Sequence, residues 1–164
     1  MQTIPLDKAR HDRVRFDCGE QALNLFLAHM AHQQSLKDNS RTYVLEDPHN
    51  PKAIVGFYTL AMIHVDLGRL PETYRKKHRQ NSTAGLVARL AVDKRFVGRG
   101  IGGWLLVDAL KRLLDASESV GFPMVIVEAK EDAVDFYRRF GFAPFVSEPN
   151  TLYMTVADIR ASIG

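Results

Sequence analysis

Four glycines close together form the segment of this sequence that is best suited to chemistry. Gly98, Gly100, Gly102 and Gly103 lie between an apolar segment typical of a strand and a long amphipathic segment typical of a helix. Without β-carbons, the backbone can come within hydrogen-bonding reach of a ligand. The N–H groups of a first helical turn lack partners, and the helix dipole makes that end positive. The sequence therefore predicts a cradle for phosphate oxygens here.

The type of phosphate loop can be narrowed from the residues around the glycines. A P-loop requires Lys and then Ser or Thr after its final glycine, and Trp104 follows Gly103 instead. The spacing Gly98-x-Gly100-x-x-Gly103 matches a dinucleotide-binding loop. No acidic residue is suitably placed at the end of a following strand, but Glu128, about 25 residues beyond Gly103, keeps the match open on spacing. Dinucleotide binding therefore stays open, and so does a plain flexible turn.

Hydrophobic periodicity predicts the elements that position this loop. We predict strands at residues 2–6, 41–46, 53–65, 86–92, 124–129, 145–146 and 152–156, and helices at 20–34, 70–79, 101–119 and 131–140. A turn over residues 47–51 makes a hairpin of the second and third strands, and Gly141 is expected to cap the helix before it. The order predicts an α/β protein with a mixed sheet flanked by helices. The first helix is expected to bury one face: Leu23, Phe26, Leu27, Met30 and Ala31.

Length and composition predict a single domain over residues 1–164. The chain is 46% apolar and 25% charged, which is typical of a folded protein. No apolar run is long enough to span a membrane, and the first residues lack the apolar stretch of a signal peptide. The single cysteine, Cys18, excludes an internal disulfide and fits a reducing compartment. We therefore expect a cytoplasmic protein without a membrane segment.

Basic residues form two clusters although the net charge is only +3. Such clusters can contact a polyanion such as RNA or the phosphates of a cofactor, and the alternative is an ordinary solvated surface. The first cluster contains Lys8, Arg10, Arg13 and Arg15, and the second contains Arg69, Arg75, Lys76, Lys77 and Arg79.

A set of motifs in fixed order resembles the GNAT superfamily of acyl-CoA N-acyltransferases. The motifs are Arg89-Leu90-Ala91-Val92-Asp93, Gly98-Arg99-Gly100-Ile101-Gly102, Trp104-Leu105-Leu106 and Ala133-x-x-Phe136-Tyr137-x-x-Phe140-Gly141-Phe142. The resemblance implies the GNAT fold, a central and mostly antiparallel sheet flanked by helices, with acetyl-CoA as the cofactor and no metal ion.

The resemblance also implies roles for particular residues. The backbone of Leu90, Ala91 and Val92 is expected to hold the pantetheine arm, and Phe136 is expected to contact the cofactor. Amides of the glycine loop are expected to bind the pyrophosphate: Gly98, Arg99, Gly100, Ile101, Gly102 and Gly103. The family pattern Q/R-x-x-G-x-G/A fits in two registers, beginning at Arg95 or at Val97. The distance to Leu105 favours the register that begins at Val97.

Tyr137 is the expected acid, because the family places this tyrosine at the thioester sulfur. A neutral hydroxyl can supply the proton that a departing thiolate needs. The alternative is a core aromatic residue packed beside Phe136. An N–H of Ala91 or Val92 would polarise the carbonyl. Spacing selects no general base, for which three residues are candidates: Glu46, His64 and Glu128.

The N-terminal third resembles one branch of the family, the GNAT toxins of bacterial type II toxin–antitoxin modules. The motifs are Phe16-Asp17-Cys18-Gly19, Ala22-Leu23-Asn24-x-Phe26-Leu27, Ala31-x-Gln33, Arg41-x-Tyr43-Val44-Leu45 and Gly56-Phe57-Tyr58-Thr59-Leu60. The resemblance implies acetylation of the α-amino group of aminoacyl-tRNA, which blocks translation.

It further implies a homodimer that is neutralised by a ribbon-helix-helix antitoxin and reaches operator DNA only in that complex. The weakly basic amine of an aminoacyl ester reduces the need for a general base. Two alternatives remain, a GNAT enzyme acting on a small-molecule or protein amine and a non-enzymatic corepressor with the antitoxin. The residues expected to contact tRNA phosphates are Arg41, Arg75, Lys76, Lys77, Arg79 and Arg89.

Overall fold

In a computed structural model of the chain, residues 1–66, 68, 72 and 81–163 are described. The strands are β1 (Thr3–Pro5), β2 (Arg41–Asp47), β3 (Asn50–Asp66), β4 (Asn81–Val92), β5 (Met124–Glu128), β6 (Ala143–Phe145) and β7 (Glu148–Thr155). The helices are α1 (Gln21–Leu25), α2 (Ala31–Leu36), α3 (Ile101–Ser119), α4 (Val134–Arg139) and α5 (Val156–Ile163). A π-helical segment, Phe26–Met30, lies between α1 and α2, and 3-10 turns occur at Lys94–Phe96 and Glu131–Ala133. Apart from residue 72, the helix predicted at 70–79 lies outside the described residues.

The strands form a mixed sheet in the order β1-β2-β3-β4-β5-β7-β6. The pairs β1–β2, β2–β3, β5–β7 and β6–β7 are antiparallel, and β4–β5 is parallel. The predicted fold class, an α/β protein with a mostly antiparallel sheet, is therefore confirmed. None of the helices in the described ranges is long and apolar enough to cross a membrane.

The chain folds as two compact units that alternate along the sequence. The first contains Met1–Ala61 and Ala88–Ala109, and the second contains Met62–Val87 and Leu110–Gly164. The buried core of the first unit is Phe16, Phe26, Leu27, Ala31, Val44, Ile54, Phe57 and Ala91. The buried core of the second is Val65, Ala84, Met124, Ile126, Phe145 and Tyr153. Burial of these apolar side chains is the main stabilising contribution in each unit.

The π-helical segment changes which face of the first helix is buried. The N–H of Ala31 donates to the carbonyl of Phe26, five residues back, so the turn is wider than an α-helical one. Phe26, Leu27 and Ala31 are buried as predicted, but Met30 is 48% exposed. The prediction for Met30 was wrong because 3.6-residue periodicity does not anticipate the extra residue in this turn.

Local hydrogen bonds explain the other differences from the predicted elements. The connection between β2 and β3 is shorter than predicted, because the Asp47 carboxylate accepts from the His49 N–H and the ladder already pairs Asp47 with Asn50. At the C-terminus, the Thr155 hydroxyl accepts from the Asp158 N–H, which caps α5, a helix that the sequence analysis missed.

The remaining bounds agree with prediction to within about three residues, apart from two strands. β4 begins five residues before its predicted start at residue 86, and β7 begins four residues before its predicted start at residue 152. The α3 helix has the predicted bounds. Gly141 has a φ of +103° and ends α4 as expected.

Candidate active site

The first turn of α3 presents N–H groups that the helix itself does not use. The first bond of the helix runs from the Trp104 N–H to the Gly100 carbonyl, 3.1 Å away. The N–H groups of Ile101, Gly102 and Gly103 therefore have no acceptor within α3. These groups lie at the positive end of the helix dipole, where an anion is stabilised.

The two residues that shape the loop before α3 are Gly98 and Gly100, with φ values of +79° and +76°. A β-carbon at either position would meet nothing within 4 Å, so the backbone borders open space there. Positive φ and open space together let successive N–H groups converge on an anion. These residues fit a pyrophosphate. Gly102 and Gly103 lie in the first turn of α3, whose N–H groups face the same open space. The side chain of Val97, the first position of the register that the sequence favours, is 61% exposed.

Asp93 fixes the chain between β4 and this loop. Its carboxylate is buried and accepts from the Asp17 N–H at 3.1 Å, from the Arg95 N–H at 2.9 Å and from the Arg95 guanidinium at 2.9 and 3.2 Å. Burial alone would raise the pKa of Asp93, but the hydrogen bonds from Arg95 and Asp17 outweigh it and hold the pKa below its usual value. Asp93 belongs to the motif Arg89-Leu90-Ala91-Val92-Asp93, but the motif alone does not indicate this anchoring role.

Asp17 and Lys94 add a second connection at the same place. The Lys94 N–H donates to the Asp17 carbonyl at 2.9 Å, and the Lys94 ammonium lies 2.8 Å from the Asp17 carboxylate. The hydrogen bond from Lys94, with those from Gly19 and Asn24, lowers the pKa of Asp17 to about 2. The segment before α1 is therefore tied to the start of the glycine loop, a contact between residues that are far apart in sequence.

The end of β4 continues beyond the residues that pair with β5. The Asp93 N–H donates to the Val55 carbonyl on β3 at 2.8 Å. Because N–H directions alternate along a strand, those of Leu90 and Val92 point away from β3. The register of β4 with β5 ends at Val87, paired with Val127, so β4 continues beyond that ladder. Of the two candidate donors to a carbonyl oxygen, Val92 is therefore better oriented than Ala91.

Tyr137 lies on α4 in the second unit, among aromatic rings. Its ring makes edge contacts with Phe136 and Phe142, with centroid separations of 5.1 and 5.9 Å. Burial raises the pKa of the Tyr137 hydroxyl to about 12. The hydroxyl makes no hydrogen bond with any residue in the described part of the chain. Tyr137 is thus a protonated, unengaged donor at neutral pH.

The residues predicted to contact tRNA divide into three groups. Arg41 is exposed and donates to the Asp38 carboxylate at 2.6 Å and to the Ser35 carbonyl at 2.9 Å, at the end of α2. Arg89 is partly buried, and its guanidinium lies 3.7 Å from the centroid of the Phe26 ring. The others lie outside the described residues: Arg75, Lys76, Lys77 and Arg79.

The structure does not select a general base. Glu46 is occupied by two partners, the Arg10 guanidinium at 2.7 Å and His11 Nε2 at 2.8 Å. The Asp7 N–H donates to His11 Nδ1, so Nε2 carries the proton that Glu46 accepts. His64 and Glu128 are exposed.

Comparison with known proteins identifies the class to which this fold and loop belong. The sequence model of the acetyltransferase (GNAT) domain matches residues 38–144, which is more than half of the chain. The chain therefore belongs to the GNAT acetyltransferase family, and the predicted fold family and enzyme class are confirmed.

Within that family the chain is similar to several toxins. A tRNA-acetylating toxin of Mycobacterium tuberculosis is 34% identical over 93% of this chain and 91% of its own length. The solved structure of AtaT complexed with acetyl-methionyl-tRNAfMet is 32% identical, with a TM-score of 0.90 and 99% of each chain covered. A tyrosine-to-phenylalanine mutant of AtaT bound to the C-terminus of the antitoxin AtaR and acetyl-CoA is 31% identical, with a TM-score of 0.83 and coverage of 98% of this chain and 96% of that one. The resemblance to GNAT toxins that the sequence motifs carry is confirmed.

Proposed function

We propose that this protein is a toxin that transfers the acetyl group of acetyl-CoA to the α-amino group of an aminoacyl-tRNA and so blocks translation. The observation that carries this proposal is the similarity to a tRNA-acetylating toxin over nearly the whole chain. The open, positive first turn of α3 supports it, because acetyl-CoA is bound through its pyrophosphate in this family. Residues 1–164 act as one acetyltransferase domain, since the family match includes residues of both compact units.

The residues of the chain have separate tasks in this reaction. Acetyl-CoA supplies an acetyl thioester. N–H groups of the glycine loop bind the pyrophosphate: Gly98, Arg99, Gly100, Ile101, Gly102 and Gly103. The backbone of Leu90, Ala91 and Val92 holds the pantetheine arm, which also contacts Phe136, and the Val92 N–H donates to the thioester carbonyl. The Tyr137 hydroxyl, protonated at neutral pH, donates a proton to the thiolate that leaves.

The partners follow from the same relationship. A ribbon-helix-helix antitoxin neutralises the enzyme, and the complex of the two, as opposed to the toxin alone, binds operator DNA. The toxin acts in the cytoplasm, where charged tRNA is used, and it forms a homodimer. The basic residues Arg41, Arg75, Lys76, Lys77, Arg79 and Arg89 contact tRNA phosphates, which position the RNA without reading its sequence.

Transfer of labelled acetyl from acetyl-CoA to total charged tRNA tests the proposal. We expect the wild type to label the aminoacyl group and Tyr137→Phe to lower the rate by about 10²–10⁴-fold, the usual contribution of a general acid, with unchanged affinity for acetyl-CoA. Tyr153→Phe is the matched control, because it removes a hydroxyl from the core of the same unit and leaves the loop and Tyr137 in place. It should retain transfer.

Two outcomes would overturn parts of the proposal. Binding of acetyl-CoA without labelling of charged tRNA would favour a GNAT enzyme that acts on a small-molecule or protein amine. Toxicity that persists in a transfer-deficient Tyr137→Phe protein would favour the non-enzymatic alternative.

A further inference from the structure

Arg89 is a partly buried cation for which no described residue supplies an anion. Its guanidinium forms no hydrogen bond or ion pair with any residue that the structure describes. Burial lowers the pKa of the Arg89 guanidinium, which shows that part of its hydration is lost. A desolvated charge that lacks a partner is unfavourable, and an anionic ligand would relieve that cost.

Phe26 holds the guanidinium in place. The guanidinium carbon lies 3.7 Å from the centroid of the Phe26 ring, which is close to van der Waals contact. Phe26 is 3% exposed and opens the π-helical segment, whose Ala31 N–H donates to the Phe26 carbonyl. Because the guanidinium donors lie at its planar edge, contact through its face leaves them available for a bidentate oxyanion.

The position of Arg89 on β4 indicates which anion it binds. About 13 Å of extended strand separate Arg89 from Asp93, which lies before the 3-10 turn that leads to the glycine loop. It is therefore too far along β4 to serve the pyrophosphate, and it adjoins Leu90–Val92, the part of the strand assigned to the acetyl end of the cofactor. An anion at this end must come from the acyl acceptor.

On a charged tRNA, the amino acid is esterified to the ribose of the terminal adenosine, and the nearest anion is the phosphate on the 5′ carbon of that same nucleoside. We infer that Arg89, held by Phe26, binds this terminal phosphate and thereby positions the α-amine for attack. The inference rests on the proposed function, because it assumes an aminoacylated nucleotide as the acceptor. The group that Arg89 recognises is the 5′-phosphate of the terminal nucleoside, which every tRNA carries.

The inference is tested with two acceptors that differ only in this phosphate. Puromycin carries a free α-amine on an amino acid linked to an adenosine-like nucleoside, and 5′-phosphopuromycin adds the phosphate. We expect the wild type to acetylate the phosphorylated acceptor with a kcat/KM at least about tenfold higher, the effect of one charge-assisted hydrogen bond. Arg89→Met should remove that preference, and Arg89→Lys should retain part of it because the charge remains without the planar fork.

Controls separate binding of the phosphate from a general loss of structure. Arg160→Met removes the same charge from an exposed position on α5 and should keep the preference. Affinity for acetyl-CoA should be unchanged in all variants. With charged tRNA as acceptor, Arg89→Met should raise KM at least about tenfold with a smaller effect on kcat.

The outcomes distinguish failure of the inference from failure of the proposed function. If the wild type acetylates charged tRNA but Arg89→Met keeps the phosphate preference, or leaves the KM for charged tRNA unchanged, Arg89 does not bind the terminal phosphate. If the wild type binds acetyl-CoA and acetylates neither charged tRNA nor either puromycin, the proposed function itself fails.

Discussion

Replacing Asp93 with Asn should lower both the stability of the protein and its affinity for acetyl-CoA. The Asp93 carboxylate is 1% exposed and accepts from the Asp17 N–H and from three N–H groups of Arg95. An amide has one acceptor oxygen in place of two and no charge. Hydrogen bonds to charged groups contribute about 1.5–3 kcal/mol each, so the loss of one to two of them should lower the free energy of unfolding by about 1.5–6 kcal/mol.

Urea unfolding of the wild type, Asp93→Asn and Asp38→Asn measures this effect. Asp38→Asn is the matched control, because its exposed ion pair with Arg41 at 2.6 Å should contribute less than about 1 kcal/mol. Asn also tolerates the φ of +60° at position 38. Affinity for acetyl-CoA, measured by calorimetry, should fall only in Asp93→Asn, because Asp93 fixes the start of the glycine loop.

The same substitution should change how stability depends on pH. The pKa of Asp93 is lower in the folded protein than in the unfolded chain, so the unfolded chain takes up the proton first as the pH falls. The stabilisation is therefore complete above the unfolded value of about 3.9 and is lost as the pH falls through the folded value. The difference between the wild type and Asp93→Asn should narrow below about pH 4. Equal, small losses of stability in Asp93→Asn and Asp38→Asn would refute this reasoning, and so would an unchanged affinity for acetyl-CoA.

Three further predictions concern packing, the loop and Tyr137. Gly56→Ala should lower the free energy of unfolding by about 1–3 kcal/mol, because its β-carbon would lie 2.7 Å from Leu105 Cδ1 and 2.9 Å from a backbone oxygen. Gly121→Ala, which meets nothing within 4 Å, should be nearly neutral in the same urea titration. Gly98→Ala should weaken binding of acetyl-CoA about tenfold in calorimetry, because a φ of +79° strains any other L-residue by about 1–2 kcal/mol. An unchanged affinity for acetyl-CoA would contradict the role of the loop. Burial raises the pKa of Tyr137 to about 12. The stabilising contribution of its neutral hydroxyl is therefore fully present below the unfolded pKa of about 10 and is lost as the pH rises toward 12. Alkaline urea titrations should therefore show the wild type losing up to about 3 kcal/mol relative to Tyr137→Phe between these pH values, and parallel losses would contradict the raised pKa.

Features that depend on neighbours along the chain could be predicted from the amino-acid sequence. The α3 helix has its predicted bounds because periodic leucines specify one buried face. The glycine loop was predictable because a positive φ strongly favours glycine, and Gly98 and Gly100 both have it. The GNAT fold and the toxin relationship could be predicted from motifs in a fixed order, and the comparisons confirm both.

Features that depend on residues far apart in sequence could be recognised only in the folded protein. Asp93 anchors the loop because the fold brings the Asp17 N–H to its carboxylate. The Val92 N–H points away from β3 because the bond from the Asp93 N–H to the Val55 carbonyl fixes the orientation of the strand. The π-helical segment places Phe26 under Arg89. Each of these contacts joins chain segments that no local pattern relates, because their proximity is produced by packing around the cores and not by the period of a helix or a strand.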